Sequence, residues 1–138
     1  DLSVTSLTAG ITTFGQFVDE MGLHRSLIPR QLLVSVDNWA VAGELLNSEY
    51  KPYTANNELN AIVEKNLERN VNHYLTDTDA WFLLAEKKDH HLKFFWRVRP
   101  GTLRKSTDFD STNLIHLSRC CFSVGNSHYI GTYGTNGA

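Results

Sequence analysis

The seven residues Leu92–Val98, LKFFWRV, constrain this chain more than any other stretch. Leu92, Phe94, Trp96 and Val98 fall on one side of a two-residue period, while Lys93, Phe95, Arg97 and, just beyond, Arg99 fall on the other. An extended strand sorts residues this way because its successive side chains point to opposite faces. An all-helical bundle is therefore not expected, and the apolar side needs a cover. Trp81, Leu83 and an apolar helix stripe near the start of the chain are the expected cover, which makes this a half-buried strand. On that reading Trp96 points inward, and truncating it to alanine costs about 3–5 kcal/mol.

The covering stripe is Val4, Leu7, Ile11, Phe14, Val18 and Met21. Its steps of three and four predict a helix of about five turns. Ser3, Thr5 or Ser6 caps its start, and Gly22 is placed to end it in a left-handed turn. Gly10 and Gly15 each weaken such a helix by roughly 1 kcal/mol, so it needs a packing partner. A strand-like piece, Leu27 to Val34, is broken only at Pro29-Arg30. A compact second helix follows, with Asp37 as N-cap, Val36 and Val41 at hydrophobic-staple positions, and Trp39, Ala42 and Leu46 as its apolar face. Then comes the polar loop SEYKPYTANNELN, with Pro52 and three asparagines.

Residues 61–71 fit either a helix or a strand. Thr76 to Asp79 forms a turn, Trp81 to Ala85 a short buried strand, and Glu86 to His91 a charged turn. Pro100-Gly101 ends the alternating strand, and a polar loop runs to Thr112. Asn113 to Val124 reads as a strand, Gly125-Asn126-Ser127 as a turn, and His128 to Tyr133 as a last strand. The fold class is thus α+β, with a long N-terminal helix near a mixed or antiparallel sheet that includes the final strands.

At 138 residues the chain is long enough for one domain and too short for two well-buried ones. Its net charge of -2 argues against a dedicated nucleic-acid binder. No apolar run approaches the roughly 18 residues that span a membrane. The two cysteines, Cys120 and Cys121, are adjacent; strand neighbours point apart, so a bond between them is not expected and a reducing compartment fits. The first residue is Asp1, which predicts a processed chain or a part of a longer polypeptide.

Candidate chemistry is thin. Asp77, Asp79 and His73 fall short of the ligand count of a calcium loop, and the aspartates suit a turn that bonds local backbone. His90-His91 has no further ligands near it in sequence. Cys120 or Cys121 with His116 or His128 lacks any flanking nucleophile signature, and buried thiols are the simpler expectation. Ser35 and Ser118 have no elbow motif, and Gly131, Gly134 and Gly137 precede no helix. No catalytic site, metal or cofactor is expected. Lys93, Arg97, Arg99, Arg104 and Lys105 form the one basic concentration, interleaved with Phe95 and Trp96. It suits either a nucleic-acid groove or, more simply, a polar face that pairs with acidic loops of a neighbouring subunit.

The run Leu27–Asn60 resembles the major capsid proteins of tailed phages, in which a P-x-x-L-x-V strand, a short helix ending ELLNS and an Asn-rich loop occur in this order. Upstream, L-x-x-G-I-T-T-F-x-x-F-x-D-E-M-G from Leu7 to Gly22 is similar to the helix and turn before it. Downstream, Leu75, Thr76, Asp77 and Trp81 match an L-T-D-x-x-x-W element. Phe95, Arg97, Pro100 and Asp108-Phe109, then Phe122, Gly125, Tyr129, Gly131, Tyr133 and Gly134, resemble the later strands. The chain departs from the pattern at Tyr129-Ile130-Gly131, where many members carry W-R-G.

The resemblance implies a phage major capsid fold of the Hong-Kong-97 type, seen in its C-terminal portion. Residues 1–30 would be the peripheral-domain helix and entry strand, 31–112 mainly the axial domain and return strands, and 113–138 the terminal peripheral strand. It also implies a structural subunit that self-assembles into pentamers and hexamers of an icosahedral shell around double-stranded DNA. Implied partners are copies of itself, scaffolding, portal and decoration proteins, and packaged DNA through weak nonspecific contacts, with no membrane. The implied location is the virion capsid, assembled in the bacterial host cytoplasm. Inter-subunit contacts fall to Tyr50, Asn56, Asn57 and Asn60 in the loop and to Arg97 and Arg99 on the alternating strand. The rival classes are a small cytosolic hydrolase with a Cys/His or metal site, and a nucleic-acid-binding module.

Overall fold

In the computed structural model, which describes residues 1–55, 58–101 and 103–135, the first helix is α1, Val4–Gly15. Ser3 and Ser6 cap it reciprocally: the Ser6 N–H donates to Ser3 Oγ (3.1 Å) and the Ser3 N–H to Ser6 Oγ (2.9 Å). The expected fourth and fifth turns are absent. Gly15 is a poor helix former, and beyond Phe14 the stripe finds little to pack on: Val18 is 38% and Met21 87% exposed. The chain instead reverses, bridging Val18 to His24. Gly22, at φ 77°, sits inside that reversal rather than at the helix end.

The strands in chain order are β1 Gln31–Val34, β2 Glu68–Val71, β3 Trp81–Leu84, β4 Leu92–Val98, β5 Leu103–Thr107, β6 Leu114–Ser118, β7 Cys121–Asn126 and β8 Thr132–Gly134. A second helix, α2 Trp39–Asn47, and a single 3-10 turn, Val63–Lys65, lie between β1 and β2. The chain divides into two compact units, residues 1–91 with 129–138 (the body) and residues 92–128 (the ribbon). These boundaries differ from the 30/31 and 112/113 divisions that the capsid resemblance implies.

The body is built on a four-stranded sheet of order β2-β1-β3-β8. β1 and β2 run parallel, which requires a crossover, and α2 supplies it. The other two pairings are antiparallel. Residues 61–71, open on sequence, thus hold the 3-10 turn and then β2. In the β1–β3 register Leu32 faces Leu83 and Val34 faces Trp81, and all four are fully buried. Leu7 and Phe14 of α1 and Ala42, Leu45 and Leu46 of α2 complete this core. Gly10 is more than a weak point in α1. A Cβ there would lie 2.8 Å from Trp81 Cη2 and 3.1 Å from Tyr133 Cε1, so the missing side chain lets the helix lie against β3 and β8.

Two details of α2 differ from expectation. Its N-cap is Asn38, not Asp37, and the Asn38 amide donates to the Thr78 carbonyl across the sheet end instead of capping its own helix. Trp39 is 54% exposed, and Leu45 takes the inward place. The Arg69 guanidinium explains the exposed ring: it lies 5.5 Å from the Trp39 ring centre and donates to the Trp39 carbonyl (2.7 Å).

The ribbon is a long two-stranded excursion between β3 and β8. β4 pairs antiparallel with β7, from Leu92↔Asn126 to Trp96↔Phe122, and a bulge then lets Val98 face Cys121. Farther out β5 pairs with β6, from Leu103↔Ser118 to Thr107↔Leu114. The expected polar loop after Gly101 is therefore partly strand. Likewise the strand expected over Asn113–Val124 is two, β6 and β7, separated at Arg119-Cys120, and the last strand is only Thr132–Gly134.

Candidate interaction surface

Two features of this chain face solvent with more structure than a surface needs: the loop after α2 in the body, and the ribbon.

The loop is closed at its base. Tyr50 bridges Leu59, the Lys51 N–H donates to the Glu58 carbonyl (2.9 Å), and Lys51 Nζ meets Glu58 Oε2 at 2.7 Å. That hydrogen bond and charge hold the Glu58 carboxyl below the usual carboxylate value. Asn60 anchors the loop from beneath. Its amide donates to the Leu45 carbonyl (2.8 Å) and the Ser48 carbonyl (3.0 Å), and its Oδ1 accepts from the Ile62 N–H (3.2 Å). These bonds satisfy carbonyls at the end of α2 that no helical turn reaches. At 5% exposed, Asn60 acts inside its own chain, whereas Tyr50 is 48% exposed and faces outward. Asn56 and Asn57 lie outside the described residues.

Tyr53 is a loop feature that the sequence did not flag. It holds φ 64°, a conformation costly for a bulky side chain. Its hydroxyl donates to Glu44 Oε2 (2.7 Å), and this bond to a carboxylate raises the phenol above its ordinary value. The ring itself is 83% exposed.

The ribbon sorts its side chains as the alternation requires, but its apolar face stays open. Leu92, Phe94 and Trp96 on β4 share a face with Phe122 and Val124 on β7. Phe94 stacks on Phe122 with centroids 5.3 Å apart, and Trp96 meets Phe94 (4.8 Å) and Phe122 (5.9 Å) edge-on. Exposure remains 51% at Phe94, 44% at Trp96 and 60% at Phe122. Trp81 and Leu83, expected as its cover, are fully buried in the core of the body, and Trp96 is not among the core residues. The alternation signalled a strand with one apolar face but carried no information on what lies over it.

Arg97 sits at the bulge and Arg99 just past it, both exposed, in the same unit as Lys93, Arg104, Lys105 and Arg119. At the tip, the Asp108 N–H donates to the Asn113 carbonyl (3.0 Å), the Thr112 N–H to the Asp108 carbonyl (3.0 Å), and Ser111 Oγ to Asp108 Oδ2 (2.7 Å). Phe109 stands on this turn fully exposed. An aromatic at the tip of a turn was legible in DFDS, though nothing in the pattern marked it as unburied.

The candidate chemical groups divide between the two units, His73, Asp77, Asp79, His90 and His91 in the body and His116, Cys120, Cys121 and His128 in the ribbon. The Asp79 N–H donates to Asp77 Oδ1 (2.9 Å), the turn expected there. His90 and His91 belong to the body, next to the close approach of Gly131 to Asp89 and His90. Cys120 is exposed and Cys121 half-buried, both free, rather than core thiols as expected. Their position on a two-stranded ribbon, which has no interior, is the reason. Among the described residues no three His, Cys, Asp or Glu side chains group as metal ligands. No helix among them is long and apolar enough to cross a membrane. Compared with known proteins, the chain matches no family model, no curated protein and no solved structure.

Proposed function

We propose that this chain is part of a structural shell subunit, a tailed-phage major capsid protein that self-associates into pentamers and hexamers around double-stranded DNA. The ordered resemblance along nearly the whole sequence is one support. The observation that carries the reading is the ribbon's face of Leu92, Phe94, Trp96, Phe122 and Val124, left about half-exposed. Apolar surface of this kind, on a two-stranded ribbon that is marginal in water by itself, is what an assembling subunit keeps for its neighbours. On this reading the protein works by assembly rather than catalysis, and needs no metal or cofactor. Scaffolding, portal and decoration proteins are its further partners, and the virion, built in the host cytoplasm, is its location.

The loop closed at Tyr50 and Leu59 is the proposed capsomer contact, with Tyr50 outward and Asn60 fixing its shape from within. Electron microscopy of the expressed full-length protein tests the proposal. Closed shells, or rings of five and six copies, are expected, and a dispersed monomer at high concentration overturns it. A second reading, a nucleic-acid-binding module, has one observation behind it, the six lysines and arginines of the ribbon beside Phe95 and Trp96. It predicts affinity for single strands that falls steeply with salt.

A further inference from the structure

Three unusual features of the body converge on one cleft. Trp39 is 54% exposed at the start of α2, Gly43 interrupts that helix, and Tyr53 holds φ 64° in the loop beyond it. The cleft, about 580 Å³, is lined by Trp39, Gly43, Glu44 and Asn47 of α2, by Pro52 of the loop and by Arg69 of β2. Trp39, Gly43 and Asn47 recur every fourth residue, so they form one strip of the helix. Gly43 makes room for the guanidinium, because Arg69 Nη1 lies where a Cβ at position 43 would stand. A glycine there costs the helix roughly 1 kcal/mol relative to alanine. From this seat Arg69 donates to the Trp39 carbonyl (2.7 Å), with its guanidinium carbon 5.5 Å from the indole centre. Glu44 is also held, its Oε2 accepting from the Tyr53 hydroxyl (2.7 Å). Tyr53 thus ties its costly backbone conformation to the wall of the cleft.

A cation and a carboxylate line the same cleft, yet among the described residues no ion pair joins them. Each is fixed by a different neighbour, which leaves further donors on Arg69 and an acceptor on Glu44 for something else. We infer that this cleft binds a neutral saccharide, one ring of a glucose-type glycan. The opposite charges cancel, so an anion or a cation gains from one group and loses to the other. A hydroxyl both donates and accepts, so adjacent hydroxyls of one sugar can satisfy Glu44, Arg69 and Asn47 together. A pyranose with equatorial substituents also offers a flat face of C–H bonds, which suits the electron-rich face of an exposed indole. A nucleotide fits less well. Its phosphate would meet Glu44 and a body that holds seven lysines and arginines against 13 acids. The volume falls within the range of ordinary small-molecule sites. The inference stands apart from the shell reading, since an assembled subunit and a lone chain would carry the same cleft.

The test is saturation-transfer-difference NMR of the full-length protein with cellotriose, a β-linked glucose trimer. The signal is read on the sugar, so the state of assembly does not limit it. Transfer to the ring C–H protons is expected, with a Kd on the order of millimolar. Trp39→Ala should weaken binding at least about tenfold, and Glu44→Gln or Arg69→Gln about threefold to tenfold. Gly43→Ala should dislodge Arg69 and weaken binding about threefold while leaving the thermal midpoint unchanged or higher, because alanine is the better helix former. Tyr74→Ala, which removes another exposed ring of the body, should bind as the unaltered protein does. No transfer to cellotriose overturns the inference, as does transfer that survives Trp39→Ala. Transfer to free glycine and not to cellotriose overturns it in favour of a zwitterionic ligand.

Discussion

Trp81 and Trp96 sit on strands of similar character, yet one is wholly buried and the other 44% exposed. The sequence around each reads as apolar strand. What separates them is what the fold lays on top: α1 reaches Trp81 because Gly10 has no side chain, and the β1 partner Val34 lies beside it. Trp96, among the described residues, meets the rings of its own ribbon, Phe94 and Phe122. Burial is thus decided by the third element to arrive, and a residue pattern within one strand does not record that element.

The sharpest way to break this contrast is to truncate both tryptophans. Trp81→Ala should cost about 3–5 kcal/mol, enough to unfold much of the body in a denaturant titration. Gly10→Val should approach that loss from the other side, because its new side chain must push Trp81 or Tyr133 away, and typical overpacking costs about 1–3 kcal/mol. Asn60→Ala should come next. It strips two carbonyls and one N–H of their partner, for about 1–3 kcal/mol by the same titration. Trp96→Ala should cost the body little, with the loss of edge-on ring contacts, about 0.5–1.5 kcal/mol, confined to faster amide exchange in β4 and β7. Body destabilisation by Trp96→Ala as large as that by Trp81→Ala would erase the contrast.

The smallest effect is electrostatic. The Lys51–Glu58 contact is complete above the ordinary glutamate value of 4.5 and is lost as pH falls through the lowered value of Glu58. A side-chain NMR titration should place that midpoint below 4.5, and Lys51→Ala should return it to the ordinary range.

Much of the fold was legible because local chemistry wrote it. The Ser3 cap, the apolar run at Trp81, the alternation at Leu92–Val98 and the turn at Asp77–Asp79 all follow from near neighbours in sequence. The length of α1 was not legible, since Val18 and Met21 continue its period but meet no partner. Nor was the cap of α2, where Asn38 prefers a carbonyl forty residues away. The loop candidates divide in the same manner. Tyr50 faces outward, while Asn60 turns inward to carbonyls that only the folded end of α2 presents.

The order of synthesis gives the β3–β8 pairing a further meaning. β3 cannot receive its outer neighbour until Thr132–Gly134 have left the ribosome, about fifty residues after β3 itself. At roughly 5–20 residues per second that is a wait of about 2.5–10 s. The contiguous ribbon can zip up within this interval, while β3 still shows a bare edge. A nascent chain held when its emerged part ends just short of Thr132 should therefore expose a folded ribbon and an unfinished sheet, the state in which misassembly or chaperone capture has its opening.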